Sequence, residues 1–277
     1  MMVSEAIRNA TDRLAATSDT ARLDAEVLMA HALGVSRSDL LLRHMRDAAP
    51  AGFTTLVERR AAHEPVAYIT GEQEFFGLPF RVSPDVLIPR GDSEVLVERA
   101  LAVKPAPGRV LDCGTGSGAL LLATLAYLPQ AQGVGIDRSD GALAIARTNV
   151  EALGLADRAR LLSADWTRAD WTQDLGGRFD LVLANPPYIE LEAELAPSVR
   201  AFEPAGALFA GPDGLDDYRM LVPQLALMLM PGGTALLEIG YTQGGAVSAM
   251  ALELGWRAKV HPDLGGRDRV VEISMGT

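Results

Sequence analysis

Arg109-Val110-Leu111-Asp112-Cys113 is a short apolar run followed without a break by Gly114-Thr115-Gly116-Ser117-Gly118, and then by a helical run beginning at Ala119. No other stretch restricts the fold as much. Glycines at alternate positions permit tight turning and close approach of backbone to a ligand where a strand hands over to a helix. A second strand, Gly133-Val134-Gly135-Ile136, ends at Asp137, 19 residues after Gly118. That is about where a carboxylate binds ribose hydroxyls. Strand, glycine loop, helix, strand and acid together predict a nucleoside site in an open α/β sheet. The spacing departs from the Gly-x-Gly-x-x-Gly of pyrophosphate-binding folds. A compact loop suits a nucleoside with an amino-acid tail, as in S-adenosylmethionine.

A third strand near Arg160-Leu161-Leu162-Ser163 ends at Ala164-Asp165-Trp166, which offers an acceptor and an aromatic face to an adenine. Spacing leaves Trp166 equally open to half-buried packing. The fourth strand, Phe179 to Ala184, runs into Asn185-Pro186-Pro187-Tyr188. Neither proline can donate to a ladder and each fixes its own φ, so the backbone leaves the sheet stiffly at the strand's carboxyl end. Open α/β sheets bind ligands there. Asn185 offers a carbonyl acceptor, the Pro186 carbonyl another, and Tyr188 a ring to stack on a planar amide or amine. Two acceptors aimed at an NH2 hold its nitrogen and favour the positive charge that builds as it attacks an electrophile. Read alone, Asn-Pro-Pro is equally a turn that caps a strand. The nucleoside site upstream tips the reading toward chemistry.

Other classes of function fit poorly. A net charge of −11 argues against an extended nucleic-acid footprint, and Arg37, Arg43 and Arg46 read as a solvated helix face. The single cysteine, Cys113, excludes an internal disulfide, and His31, His44, His63 and His261 lack metal-ligand spacing, so no metal is expected. No segment is long and apolar enough to span a membrane, and Met1 to Glu5 do not resemble a secretion signal. A cytoplasmic protein is expected.

Residues 3–64 read as helices. Ala25, Leu28, Met29, Ala32 and Leu33 form an amphipathic stripe ended by Gly34; Ser36 caps a short helix to about Met45; and Pro50 starts another that His63-Glu64-Pro65 stops. From Tyr68 to Ile88 the chain turns β-prone, with Gly77-Leu78-Pro79 marking a hairpin. Asp92 or Ser93 is expected to cap the helix containing Leu96, Val97, Ala100 and Leu101. About 45 residues separate Asn185 from a fifth strand, Thr234 to Ile239, too long for an idle connection. That gap holds Glu203-Pro204 and a helix from about Asp216, with Pro223 kinking it or starting another. Trp256 to Val260 and Arg269 to Ser274 close the sheet as an antiparallel hairpin. The expected fold class is α/β: a Rossmann-like, seven-stranded sheet with its last strand antiparallel, plus a small N-terminal helical bundle joined by a β-hairpin.

Several of these stretches together resemble the HemK-type peptide-chain release factor glutamine methyltransferases over nearly the whole chain. They are Glu64 to Gly71, Val86 to Arg90, Leu111 to Gly118, Asn185 to Ile189, Asp213 to Arg219 and Gly266 to Val270. The glycine loop is shared by many methyltransferases; its combination with Pro89-Arg90 and a helical N-terminus is far more specific. The resemblance implies an enzyme that moves a methyl group from S-adenosylmethionine to the side-chain amide nitrogen of the glutamine in the Gly-Gly-Gln of release factors, leaving S-adenosylhomocysteine. It implies a substrate-recognition domain at 1–67, a hairpin linker at 68–88 and a methyltransferase domain at 89–277. A purely structural extension is the other reading of the first segment.

Carried over, the cofactor contacts are Gly114, Thr115, Gly116, Ser117, Gly118, Asp137 and Trp166, with Asp165 and Asn185 beside them. Asn185, Pro186, Pro187 and Tyr188 hold the substrate amide. Methylation of a ribosomal-protein glutamine is the nearest alternative, and adenine-N6 methylation of DNA or RNA is a further one, since Asn-Pro-Pro-Tyr serves the same NH2 chemistry after base flipping. One departure stands out. Where the family usually reads Pro-Arg-Pro-Glu-Thr-Glu, this chain has Pro89-Arg90-Gly91-Asp92-Ser93-Glu94, which shortens one carboxylate and frees the turn.

Overall fold

The computed structural model describes residues 1–275, in two compact units. The first comprises Met1–Glu72 with Leu195–Phe202. Its helices Val3–Leu14, Ala21–Leu33 and Phe53–Ala61 enclose a core that includes Leu14, Leu28, Met29 and Leu40. Gly34 ends the second helix in a left-handed conformation (φ 67°), and the Ser36 hydroxyl accepts from the Asp39 N–H, as an N-cap does. Arg37 and Arg43 pair with Glu26 and Asp39. Tyr68 to Thr70, expected to be extended, instead lie in a helical turn, Val66–Thr70. Pro65 stands at its N-cap, Ala67, Tyr68 and Ile69 are buried, and Gly71 at φ 75° ends it. The ribbon therefore starts at β1 (Glu72–Phe75) and returns in β2 (Leu78–Arg81).

The second unit comprises Gln73–Glu194 and the chain from Glu203 onward. Its sheet is formed by β3 (Arg109–Cys113), β4 (Gln132–Asp137), β5 (Ala159–Ser163), β6 (Phe179–Ala184), β7 (Leu229–Glu238), β8 (Trp256–Pro262) and β9 (Asp268–Met275), in the order β5-β4-β3-β6-β7-β9-β8. Pairings β3–β4, β3–β6, β4–β5 and β6–β7 are parallel; β9 runs antiparallel to both β7 and β8. This is the expected class, with one strand reversed. Strands β3 and β6 are each buried at every position but one because both faces are covered, as in parallel sheets generally.

Close packing fixes the glycine loop. The helix Ala119–Tyr127 is buried along most of its length and lies against β4. A Cβ on Gly135 would stand 2.8 Å from Leu161 and 2.9 Å from the Thr115 hydroxyl, so only glycine lets strand and loop approach this closely. Register then does the rest. Cys113 pairs with Ile136 and Ala184, Asp137 with Ser163, and Ala184 with Leu237. The residues just beyond these pairs leave the sheet along one carboxyl edge.

Candidate active site

A cavity lies along that edge, walled by Gly114 to Ser117, Asp137, Asp165, Trp166, Asn185 and Pro187. Gly114, Gly116 and Gly118 have φ of 74°, 54° and 84°, a region that side chains strain to enter. The Gly114 and Thr115 amides donate to the Ile136 carbonyl at 2.9 and 2.8 Å, tying the loop to the end of β4. Asp137 completes the tie: its Oδ2 accepts from the Gly116 N–H and its Oδ1 from the Ser139 N–H, each at 2.9 Å. A carboxylate has about four acceptor sites, so capacity remains on the cavity side.

Beneath the loop, Asp112 accepts from the Thr115 hydroxyl at 2.7 Å, while its Oδ1 has no hydrogen-bond partner. Full burial pushes its carboxyl up from 3.8 to about 7; the Thr115 bond opposes the rise and the Asp137 charge adds to it. The folded state thus binds this proton more tightly than the unfolded chain. Its contribution to stability is complete below about pH 4 and is lost as pH rises through about 7. Asp112→Asn should flatten the fall in unfolding free energy across that window, a fall on the order of a few kcal/mol from this group. Urea unfolding over a pH series measures the slope. An unchanged slope in the variant would clear Asp112 as its cause.

Trp166 is half-buried against the core and also walls the cavity. Its ring edge lies 3.1 Å from where a Gly114 Cβ would stand. The indole N–H donates to Asp217 at 3.0 Å, and the Trp166 carbonyl accepts from the Gln224 side chain at 3.0 Å. Asp165 Oδ1 accepts from the Thr167 hydroxyl and amide. Neither role was foreseen: Asp217 lies in the Asp213 to Arg219 stretch that carries the resemblance, but nothing there pointed to Trp166, and no local motif marks Gln224.

Asn185 is half-buried and Pro187 buried at the cavity wall, whereas Pro186 and Tyr188 do not line it. Tyr188 packs against the core, and burial together with the Glu238 charge pushes its hydroxyl up to about 12. Its backbone is locked: the Tyr188 carbonyl accepts from the Gln243 side chain at 3.0 Å, and a Cβ on Gly214 would fall 2.3 Å from that oxygen. The stiff exit expected of two prolines is thus reinforced by a glycine at φ 68°.

Two further segments wall the cavity, Asp85 to Arg90 and Pro204 to Ala207. Glu203, whose side chain is 1% exposed, joins them by pairing with Arg90 and accepting from the Ile88 N–H at 3.2 Å. The length of the connection signalled a cover here, but not the pairing. Neither Asp92 nor Ser93 caps the following helix with its side chain, contrary to expectation. Gly91–Ser93 form a 3₁₀ turn, Asp92 reaches Arg269 at 3.3 Å, and Ser93 turns to the Glu238 carboxyl. These longer-range charged partners compete successfully with the local cap. Among the described residues no cluster of His, Cys, Asp and Glu is placed to hold a metal ion.

Comparison with known proteins agrees with this geometry. Residues 5–71 match the family described as PrmC N-terminal domain, and residues 91–207 the Methyltransferase small domain. A release factor glutamine methyltransferase of Cereibacter sphaeroides is 45% identical over 99% of both chains. One of Moorella thermoacetica is 44% identical over 97% of both. A solved methyltransferase of Pyrococcus furiosus, 18% identical with a TM-score of 0.52 over 78% of this chain and 96% of its own, shares the fold. At such identity over nearly full length, the chain belongs to the release factor glutamine methyltransferase family.

Proposed function

We propose that this protein methylates the side-chain amide nitrogen of the glutamine in the Gly-Gly-Gln of peptide chain release factors, with S-adenosylmethionine as donor. The observation that carries the reading is Asn185, which walls the same cavity as the glycine loop, Asp137 and Trp166. The donor set suits this cofactor: a carboxylate for ribose hydroxyls, a compact glycine turn that leaves room for the amino-acid tail, and an acceptor and indole at Asp165-Trp166 for the adenine. When bound, S-adenosylmethionine supplies an electrophilic methyl group on a sulfonium.

The chain's own work is alignment. A neutral amide nitrogen is a poor nucleophile because its lone pair is delocalised, so holding it in line supplies much of the rate. Asn185 Oδ1 accepts one of its N–H groups and favours the charge that builds as the nitrogen–carbon bond forms. The methylated nitrogen is strongly acidic and gives a proton to water, so no general base is required. Residues 1–67 act in this reading as the recognition unit for intact release factor.

Incubation with methyl-labelled S-adenosylmethionine and, separately, release factor, ribosomal protein, DNA and RNA tests the proposal. Label is expected on the release-factor glutamine and should fall sharply when residues 1–64 are deleted from a protein that still binds the cofactor. Label on ribosomal protein or adenine, with none on release factor, would overturn it.

A further inference from the structure

Because Ala184 pairs with Leu237 in the parallel β6–β7 register, the next residues, Asn185 just past β6 and Glu238 at the end of β7, are neighbours. Glu238 is 1% exposed and its Oε2 has no hydrogen-bond partner. Two side chains make polar contact with its carboxyl, those of Ser93 and Asn185, and both wall the cavity. The other groups facing it are known. Arg269 comes from β9, adjoining Val270, which pairs with Glu238; Asp92 adds a negative charge and Tyr188 lies nearby. Tyr218 donates its hydroxyl to the Glu238 carbonyl at 2.7 Å.

An ionised carboxylate only accepts hydrogen bonds, whereas an asparagine amide has one accepting and one donating end. Contact with the carboxylate therefore selects one of the two amide orientations, NH2 inward and carbonyl outward. We propose that Glu238 is a positioning residue for methyl transfer: it accepts from the Asn185 amide nitrogen and so presents the Asn185 oxygen to the substrate N–H. The inference rests on the function proposed above. Without this contact the amide is free to turn over, and its NH2 would then meet the substrate NH2 donor to donor. Ser93 also makes polar contact with the carboxyl, so a hydroxyl residue suffices at that position of the departed Pro89 to Glu94 motif.

Protonation reverses the selection. Burial pushes the Glu238 carboxyl up to about 7, opposed by the Ser93 and Asn185 contacts and by Arg269. The acid form can donate to the Asn185 oxygen and withdraw it from the substrate. Turnover should therefore fall as pH drops through about 7, with an acid limb that depends on both Glu238 and Asn185.

Single-turnover methylation of release factor by the full-length protein, saturated with S-adenosylmethionine, reads this out over pH. Glu238→Gln should lower the rate on the order of tenfold or more, leave cofactor affinity and KM for release factor nearly unchanged, and abolish the acid limb. Asn185→Ala should abolish the limb too, with Glu238 intact, which keeps the test open if Glu238→Gln does not fold. A limb that persists in either variant, or a wild-type rate in Glu238→Gln, would overturn the assignment. Absence of methylation by the wild-type protein would instead overturn the proposed function.

Discussion

Replacing Asn185 by alanine should lower the turnover of methyl transfer by roughly 10²–10³-fold, the scale of losing one preorganised polar contact to developing charge. The cofactor should still bind with nearly its normal affinity, because the glycine loop, Asp137 and Trp166 are left intact. The cavity wall at this point is rigid: two prolines follow, and the Tyr188 carbonyl is held by Gln243. Deleting the side chain therefore removes an acceptor without relaxing the backbone that carried it. Asn185→Asp should retain partial activity, above that of alanine. It sets a second carboxyl beside buried Glu238, and two such neighbours share a proton, so one oxygen remains an acceptor. Single-turnover rates at saturating cofactor and release factor decide the matter; a wild-type rate in the alanine variant would take Asn185 out of the chemistry.

Asp137→Ala should weaken S-adenosylmethionine binding by at least about tenfold. A bond to a charged acceptor contributes about 1.5–3 kcal/mol, and the ribose offers two hydroxyls. The structure adds a second reason for a large effect. The same carboxylate holds the Gly116 and Ser139 amides at 2.9 Å, so its removal also frees the glycine loop. Calorimetry with the folded variant measures the loss. Unchanged affinity would remove Asp137 from the cofactor site.

Much of this molecule was legible in the sequence because its signals are local. A parallel strand covered on both faces must be apolar, a glycine loop must turn tightly, and prolines must stop a ladder; Val110 to Gly118 and Asn185 to Tyr188 state these constraints outright. Tyr68 to Thr70 misled because β-prone side chains are also good core residues, and Pro65 and Gly71 bounded a helical turn around them. Asp92 and Ser93 misled for a different reason. Their capping chemistry is local, but Arg269 and Glu238, more than 140 residues away, are better partners. The partners of Asp217, Gln224 and Glu203 had no pattern to announce them, since each acts on a residue brought close only by the finished fold.

Strand β9 follows β8 in the chain yet lies between β7 and β8 in the sheet. During synthesis the sheet thus waits for an interior member, and until residues 268–275 arrive β7 offers an unsatisfied edge and β8 has no neighbour to join. Exposed edges of this kind invite pairing with other chains. The strand that ends this hazard also delivers Arg269, whose charge acts on the Glu238 carboxyl. The electrostatic setting of Glu238 and the closure of the sheet are therefore acquired in the same late event, and a polypeptide interrupted before Asp268 forfeits both together.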